Sequence, residues 1–310
     1  MAKRSVWIWV GVAGGIAFLL FALCVCSVAG YAFFSAQREA EAKKQVERAR
    51  PLISDADAVL KEVEAMSTVS PSSGSAAKSA LASAAGLPSA KTKLTEAKTY
   101  LKAAGDVGVS GDIEDYIQAK LASTELKLEI VDLRERQKPE LAKAAKAAAS
   151  IRSAYSLLDK ASHSIDDAVP LRNKDQFTKA DSLRRKGARM LAQSLTLYTS
   201  ARRTYPSGNF NSTLAYIAKL RSIEQYEAKL DSLGRARRFV EYNRIVSKAN
   251  STRSAASKLW NSASSNGTAA TIDNAYAREV RDMLDRIANR TSSANAKDSE
   301  AEAIWSSMQP

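Results

Sequence analysis

The sequence predicts an all-α protein: a single N-terminal transmembrane helix followed by an antiparallel multi-helix bundle of six to eight helices, arranged as one bundle or two stacked sub-bundles. Three observations predict it. Residues 6–34 form an apolar run of 29 residues in which Ser27 is the one plainly polar side chain. Alanine, the best intrinsic helix former, occurs 55 times, and β-branched runs of strand length are missing. Beyond the run, apolar residues recur at spacings of three and four, punctuated by few glycines and by seven prolines in the whole chain.

Residues 1–5 read as a short basic tail carrying Lys3 and Arg4. The run at 6–34 exceeds the roughly 20 helical residues that cross a hydrocarbon core and the about 7–15 of a secretory signal. It reads as a retained signal-anchor rather than a cleaved leader, although Ser27-Val28-Ala29 has the small residues of a cleavage site. Gly11 and Gly15 form GxxxG, and Ala22, Cys26 and Gly30 continue a row of small residues; such a face suits membrane-helix packing and a homodimer.

Orientation rests on opposing signals. Arg38, Lys43, Lys44, Arg48 and Arg50 follow the span, so counting basic residues does not favour an inside amino terminus. The basic head, the interfacial Trp7 and Trp9, and the ease with which long domains translocate favour it. The expected location is therefore the cell membrane, single-pass, with the N-terminus inside and the helical domain extracytoplasmic.

Residues 35–66 form a membrane-proximal helix with a heptad-like seam, Val46, Ala49, Ile53, Ala56, Leu60 and Val63, in which Pro51 marks a kink or a new start. Residues 67–90, with eight Ser and seven Ala, read as a mobile Ser/Ala-rich linker. Residues 91–290 form the bundle. Its first helix carries Leu94, Ala97, Leu101 and Ala104 and stops at GDVGVSG. The next, capped at Ser110 or Asp112, has the seam Ile117, Leu121, Thr124, Leu128 and Val131. Pro139 marks a boundary or kink before Leu141, Ala145, Ala148, Ile151, Tyr155 and Leu158. A helix over about 174–204 ends at YPSGN, another runs from near Ser212 to about 248, and a last one after SSNG holds Ile272, Tyr276, Val280, Met283 and Ile287. Residues 291–310 read as a C-terminal tail.

Cys24 and Cys26 both lie inside the apolar run, so the remainder has neither disulfides nor thiolate metal sites. The sequons at Asn211, Asn250, Asn266 and Asn289 carry meaning only in a glycosylating host. Phosphate-loop, nucleophile-elbow and HExxH motifs are missing, and His163 is the single histidine, with Asp159, Asp166 and Asp167 nearby. The expectation is a protein without enzymatic activity, metal or cofactor.

The net charge of +13 is concentrated. Residues 171–248 hold 17 Lys/Arg and six Asp/Glu, whereas residues 36–170 hold 20 of each. Arg184, Arg185, Lys186 and Arg189, then Arg202 and Arg203, then Arg235, Arg237 and Arg238 form the clusters. These nine are the candidate anion- or partner-binding residues, on a basic helix pair folded about YPSGN. The function expected is a membrane-anchored helical scaffold or adaptor. Its partners are the lipid bilayer and either a protein or an anionic envelope polymer. The alternatives are a sensor or regulatory subunit of a membrane complex, and a cytoplasm-facing tether that binds nucleic acid or anionic lipid.

Overall fold

Helix α1 runs without interruption from Arg4 to Val63 in the computed structural model, which describes the backbone of residues 4–308 and the side chains of residues 34–264 and 267–308. Pro51 lies inside α1, exposed and without ending it. Among the described residues no helix is long and apolar enough to cross a membrane. The side chains of the apolar run, and with them the packing face of Gly11, Gly15, Ala22, Cys26 and Gly30, lie outside the described residues up to Phe34.

The following helices are α2 (Gly74–Ser83), α3 (Leu87–Asp106), α4 (Asp112–Asp166), α5 (Ala168–Asn173), α6 (Phe177–Thr204), α7 (Asn211–Arg235), α8 (Phe239–Asn266) and α9 (Ala270–Ser307). Short 3-10 turns occupy Glu64–Ser67 and Ala84–Gly86, and no strand occurs among the described residues. The chain is thus an all-helical bundle. It divides into two compact units, and the division falls within α1, α4 and α9. Unit 1 holds residues up to 60, 86–132 and 287 onward; unit 2 holds 61–85 and 133–286.

The core of unit 1 is a seam of small and branched side chains. Ala42, Val46, Ala49 and Ile53 of α1 meet Ala97, Leu101 and Ala104 of α3, Ile113, Tyr116 and Ile117 of α4, and Ala301 of α9. These positions repeat every seven residues along α1 and α3, the period that lets neighbouring helices keep one face together over many turns. Alanine at alternate seam positions brings the backbones close. The α3–α4 connection needs two residues in the left-handed region, Gly108 and Gly111 at φ +74° and +73°, which is why GDVGVSG stops the helix.

Unit 2 continues the same periodicity. Its α6 buries Ala180, Arg184, Gly187, Leu191, Ser194, Tyr198 and Ala201, alternating four and three. At Gly187 an added Cβ would lie 2.8 Å from Ile165 Cγ1 and 3.0 Å from the Ala161 carbonyl oxygen, so glycine sets the approach of α6 to α4. A polar group ties other parts together: Arg134 donates to Gln137 (2.8 Å) and to Ser67 Oγ (2.7 Å), and Gln137 donates to the Met66 carbonyl (2.7 Å).

Four expectations differ from the structure. Residues 67–90 are not a loose linker: α2 buries Ala77 and Ala80, and Ser72 is fastened by its backbone N–H (2.8 Å) and hydroxyl (2.5 Å) to Asp273. Residues 291–307 are not a tail but the end of α9, with Ala294 and Ala301 buried and Trp305 against Tyr116, ring centres 4.8 Å apart. Pro139 neither breaks nor bounds α4, because it lies on the exposed side of a helix held by its buried face. The helix expected from Ser212 to about 248 is two, α7 and α8, separated at 236–238 where Arg237 takes φ +56°.

Candidate functional site

The basic helix pair does form as a hairpin. α6 ends at Thr204, the turn at Tyr205–Phe210 reverses the chain, and α7 returns along α6. The turn is held from below. Tyr205, buried, and Ser207 both donate hydroxyl hydrogen bonds to Glu279 of α9. Burial, then the carboxylate beside it, pushes the Tyr205 phenol well above its ordinary range, so it stays a neutral donor.

Arg184, expected on the basic surface, points inward instead. It is a seam position of α6, only 8 % exposed, and its guanidinium reaches Asp181 (2.5 Å), Glu224 and Asp231 (3.5 Å). Behind it lies a second arginine that composition alone did not single out. Arg172 contacts Glu227 and donates from Nε to Asp231 at 2.7 Å, and both carboxylates are fully buried. Arg253 of α8 closes the group, 2.7 Å from Glu227 and 3.9 Å from Asp166. Burial works against the charge of Arg172, but the hydrogen bond to Asp231 and the charge of Glu227 outweigh it and leave its pKa raised. Three arginines face five carboxylates, so no arginine charge is left over for a ligand and the cluster's chemistry is that of a clamp joining α5, α6, α7 and α8.

The remaining basic candidates are exposed. Arg185 leans back onto Asp181 at 2.9 Å, and Arg238 pairs with Glu241. Lys186, Arg189, Arg202, Arg203, Arg235 and Arg237 are exposed and form no ion pair among the described residues. They are not one patch. From Arg189 to Arg202 the helix rises by about 20 Å, and Arg235 lies at the opposite end of the hairpin from Arg202.

At that opposite end the chain makes an elbow. The N–H of Arg238 bonds the Leu233 carbonyl (3.0 Å) and the N–H of Arg237 bonds that of Gly234 (3.1 Å), a Schellman pair that ends α7. The left-handed residue of this motif is ordinarily glycine; here it is Arg237. α8 then begins with Phe239 and Val240, 65 % and 88 % exposed, while its buried contacts start with Tyr242 and Ile245 against Leu230 and Leu233.

Unit 1 has its own charge group. Lys120 and Lys127, both buried on α4, contact Asp298 of α9 at 3.0 and 2.7 Å; Lys127 also reaches Asp57 (2.7 Å) and Lys120 reaches Glu302 (2.9 Å). Burial alone would raise the Asp298 pKa, but the hydrogen bond and charge of Lys127, then those of Lys120, reverse this and hold it below the ordinary 3.8. A depressed carboxyl adds stability that is complete above its unfolded pKa and is lost as pH falls through the folded one. Acid titration followed at Trp305 should therefore show a plateau at neutral pH and a loss that begins below about pH 4. A loss that began near pH 6 would place the responsible group elsewhere.

His163 is exposed on α4, its Nδ1 2.8 Å from the Asp159 carbonyl; that hydrogen bond, then the Asp159 charge, raises its pKa. Among the described residues no group of three or more His, Cys, Asp or Glu is placed to hold a metal ion. A cleft between α4 and α9 is lined by Glu125, Leu126, Glu129, Ser293 and Lys297. No protein-family model matches the chain, and neither a curated protein nor a solved structure is significantly similar to it.

Proposed function

We propose that the protein is a non-enzymatic, single-pass membrane-anchored scaffold or adaptor that presents its helical bundle outside the cytoplasmic membrane. The exposed arginines of α6 to α8, set at separate places along the hairpin, supply its contacts for an anionic polymer, a lipid or an acidic partner. The observation that carries the reading is the apolar run at 6–34, together with α1 continuing from Arg4 to Val63 into the core of unit 1. An unbroken helix of 60 residues, about 90 Å, couples such an anchor rigidly to the domain behind it.

The sensor alternative uses the same helix. In it, the seam residues Val46, Ala49 and Ile53, which pack against α3, α4 and α9 of their own chain, would pass a change in the bundle to a dimer of membrane helices. The cytoplasm-facing alternative keeps one observation in its favour, the basic residues that follow the span.

Alkaline carbonate extraction of membranes tests the anchor. The full chain should remain with the membrane pellet, and a chain lacking residues 6–34 should appear in the supernatant. Full release of the intact chain by carbonate would remove the anchored reading.

A further inference from the structure

We propose that the α7–α8 elbow is a lipid-docking element, in which Arg235, Arg237, Arg238 and Arg244 engage anionic phospholipid headgroups while Phe239 and Val240 insert below them. The proposal deepens the reading of a basic contact surface given above by committing that surface to one place and one ligand chemistry.

Three independent observations meet at the elbow. The first is exposure. Isolated surface apolar side chains are ordinary, but among the described residues the large exposed ones are Phe34, Phe239 and Val240. Phe34 ends the apolar run, where an exposed aromatic suits a membrane boundary. Phe239 and Val240 have no such explanation within the fold, and they are adjacent.

The second is charge. Residues 235–244 hold four arginines and one glutamate, a net +3 within three helical turns. All four arginines are exposed, and Glu241 is satisfied by Arg238. Apolar side chains ringed by arginine match the boundary between anionic headgroups and acyl chains, where each component gains from the layer it meets. An acidic polymer would use the arginines and leave Phe239 and Val240 in water.

The third is strain. Arg237 occupies a left-handed position that glycine fills at no steric cost, at φ +56°. Arg237 is exposed there, two residues before Phe239. Asp175 ends α5 in the same conformation at φ +57°; Arg237 differs from it in standing beside exposed apolar side chains.

The test uses the full chain held in neutral phosphatidylcholine nanodiscs, titrated with separate vesicles of equal phosphatidylcholine and phosphatidylglycerol. Pure phosphatidylcholine vesicles are the control, and binding is read by flotation. The intact protein should float with the anionic vesicles and not with the neutral ones, and added inorganic phosphate should not displace it. Combined Phe239→Ser and Val240→Ser should weaken binding about tenfold, and combined Arg235→Gln, Arg237→Gln and Arg238→Gln about a hundredfold. Arg237→Gly separates function from folding: it should raise the urea midpoint of unit 2 and still weaken vesicle binding.

Vesicle binding that survives loss of Phe239 and Val240 but not of the arginines would overturn insertion and leave electrostatic adsorption to the headgroups alone. Equal binding to both vesicle types, or to neither, would also overturn it. Failure of the anchored reading is seen separately, as a chain that does not enter nanodiscs; the same vesicles are then titrated directly.

Discussion

Glu227→Ala is expected to destabilise unit 2 by about 3–5 kcal/mol. Glu227 is fully buried between Arg172 and Arg253, and its removal leaves Arg172, only 4 % exposed, with Asp231 as its remaining anionic partner. The attraction of a buried pair only roughly offsets the cost of taking both charges out of water. Breaking it from one side exposes that desolvation cost almost whole. Glu227→Gln keeps the shape and one acceptor and should cost less, while joint replacement of Arg172 and Glu227 by Met and Leu should recover much of the loss. Urea unfolding, read at Trp260, which packs on Tyr216 with ring centres 5.0 Å apart, checks all three. A cost below about 1 kcal/mol for Glu227→Ala would mean the cluster is hydrated and not a clamp.

Lys127→Ala should cost unit 1 about 2–4 kcal/mol. Lys127 is the cation that joins Asp57 of α1 to Asp298 of α9 from a buried position on α4. The cost lies below that of Glu227 because Asp57 and Asp298 are partly exposed and water replaces some of what is lost. The variant also makes a pH statement. Lys127 is the chief reason that the Asp298 pKa is depressed, so its loss moves the acid transition of unit 1 to higher pH. Trp305, packed at a tilt against Tyr116, reports this unit. An acid limb that stays in place would contradict the assignment to Asp298.

How much of this was legible beforehand turns on single residues. The helical class and the seams at Val46–Val63 and Leu94–Ala104 follow from apolar spacing, and all but Leu60 of those seam residues are buried. On α4 apolar spacing selects Leu121 and Leu128, but the buried residues are their neighbours Lys120 and Lys127, their ammonium groups paired within the seam. A period near 3.5 leaves both neighbours close to the core, and hydrophobicity then selects the wrong one.

The same effect hid the clamp. Arg184 falls on the four-three spacing with Ala180, Gly187 and Leu191, and Glu227 falls on that of Leu220, Ile223 and Leu230. Charge on a seam position was the available signal, but reading clusters by composition put Arg184 on the surface with Arg185 and Lys186. The elbow at 236–238 carried no sequence signal, since an arginine stands where glycine marks such an end. The 67–90 segment misled in the opposite sense. Its alanines pack because Ser72 and Arg152 fasten the preceding turn, a long-range contact that Ser/Ala composition does not encode.

Protease accessibility in intact cells tests most directly the proposal that an anchored bundle lies on the outer side of the membrane. With a tag placed after Pro310, the account predicts that added protease removes the tag from intact cells. Protection of the tag until the membrane is opened would contradict it and place the basic helices of unit 2 on the cytoplasmic side.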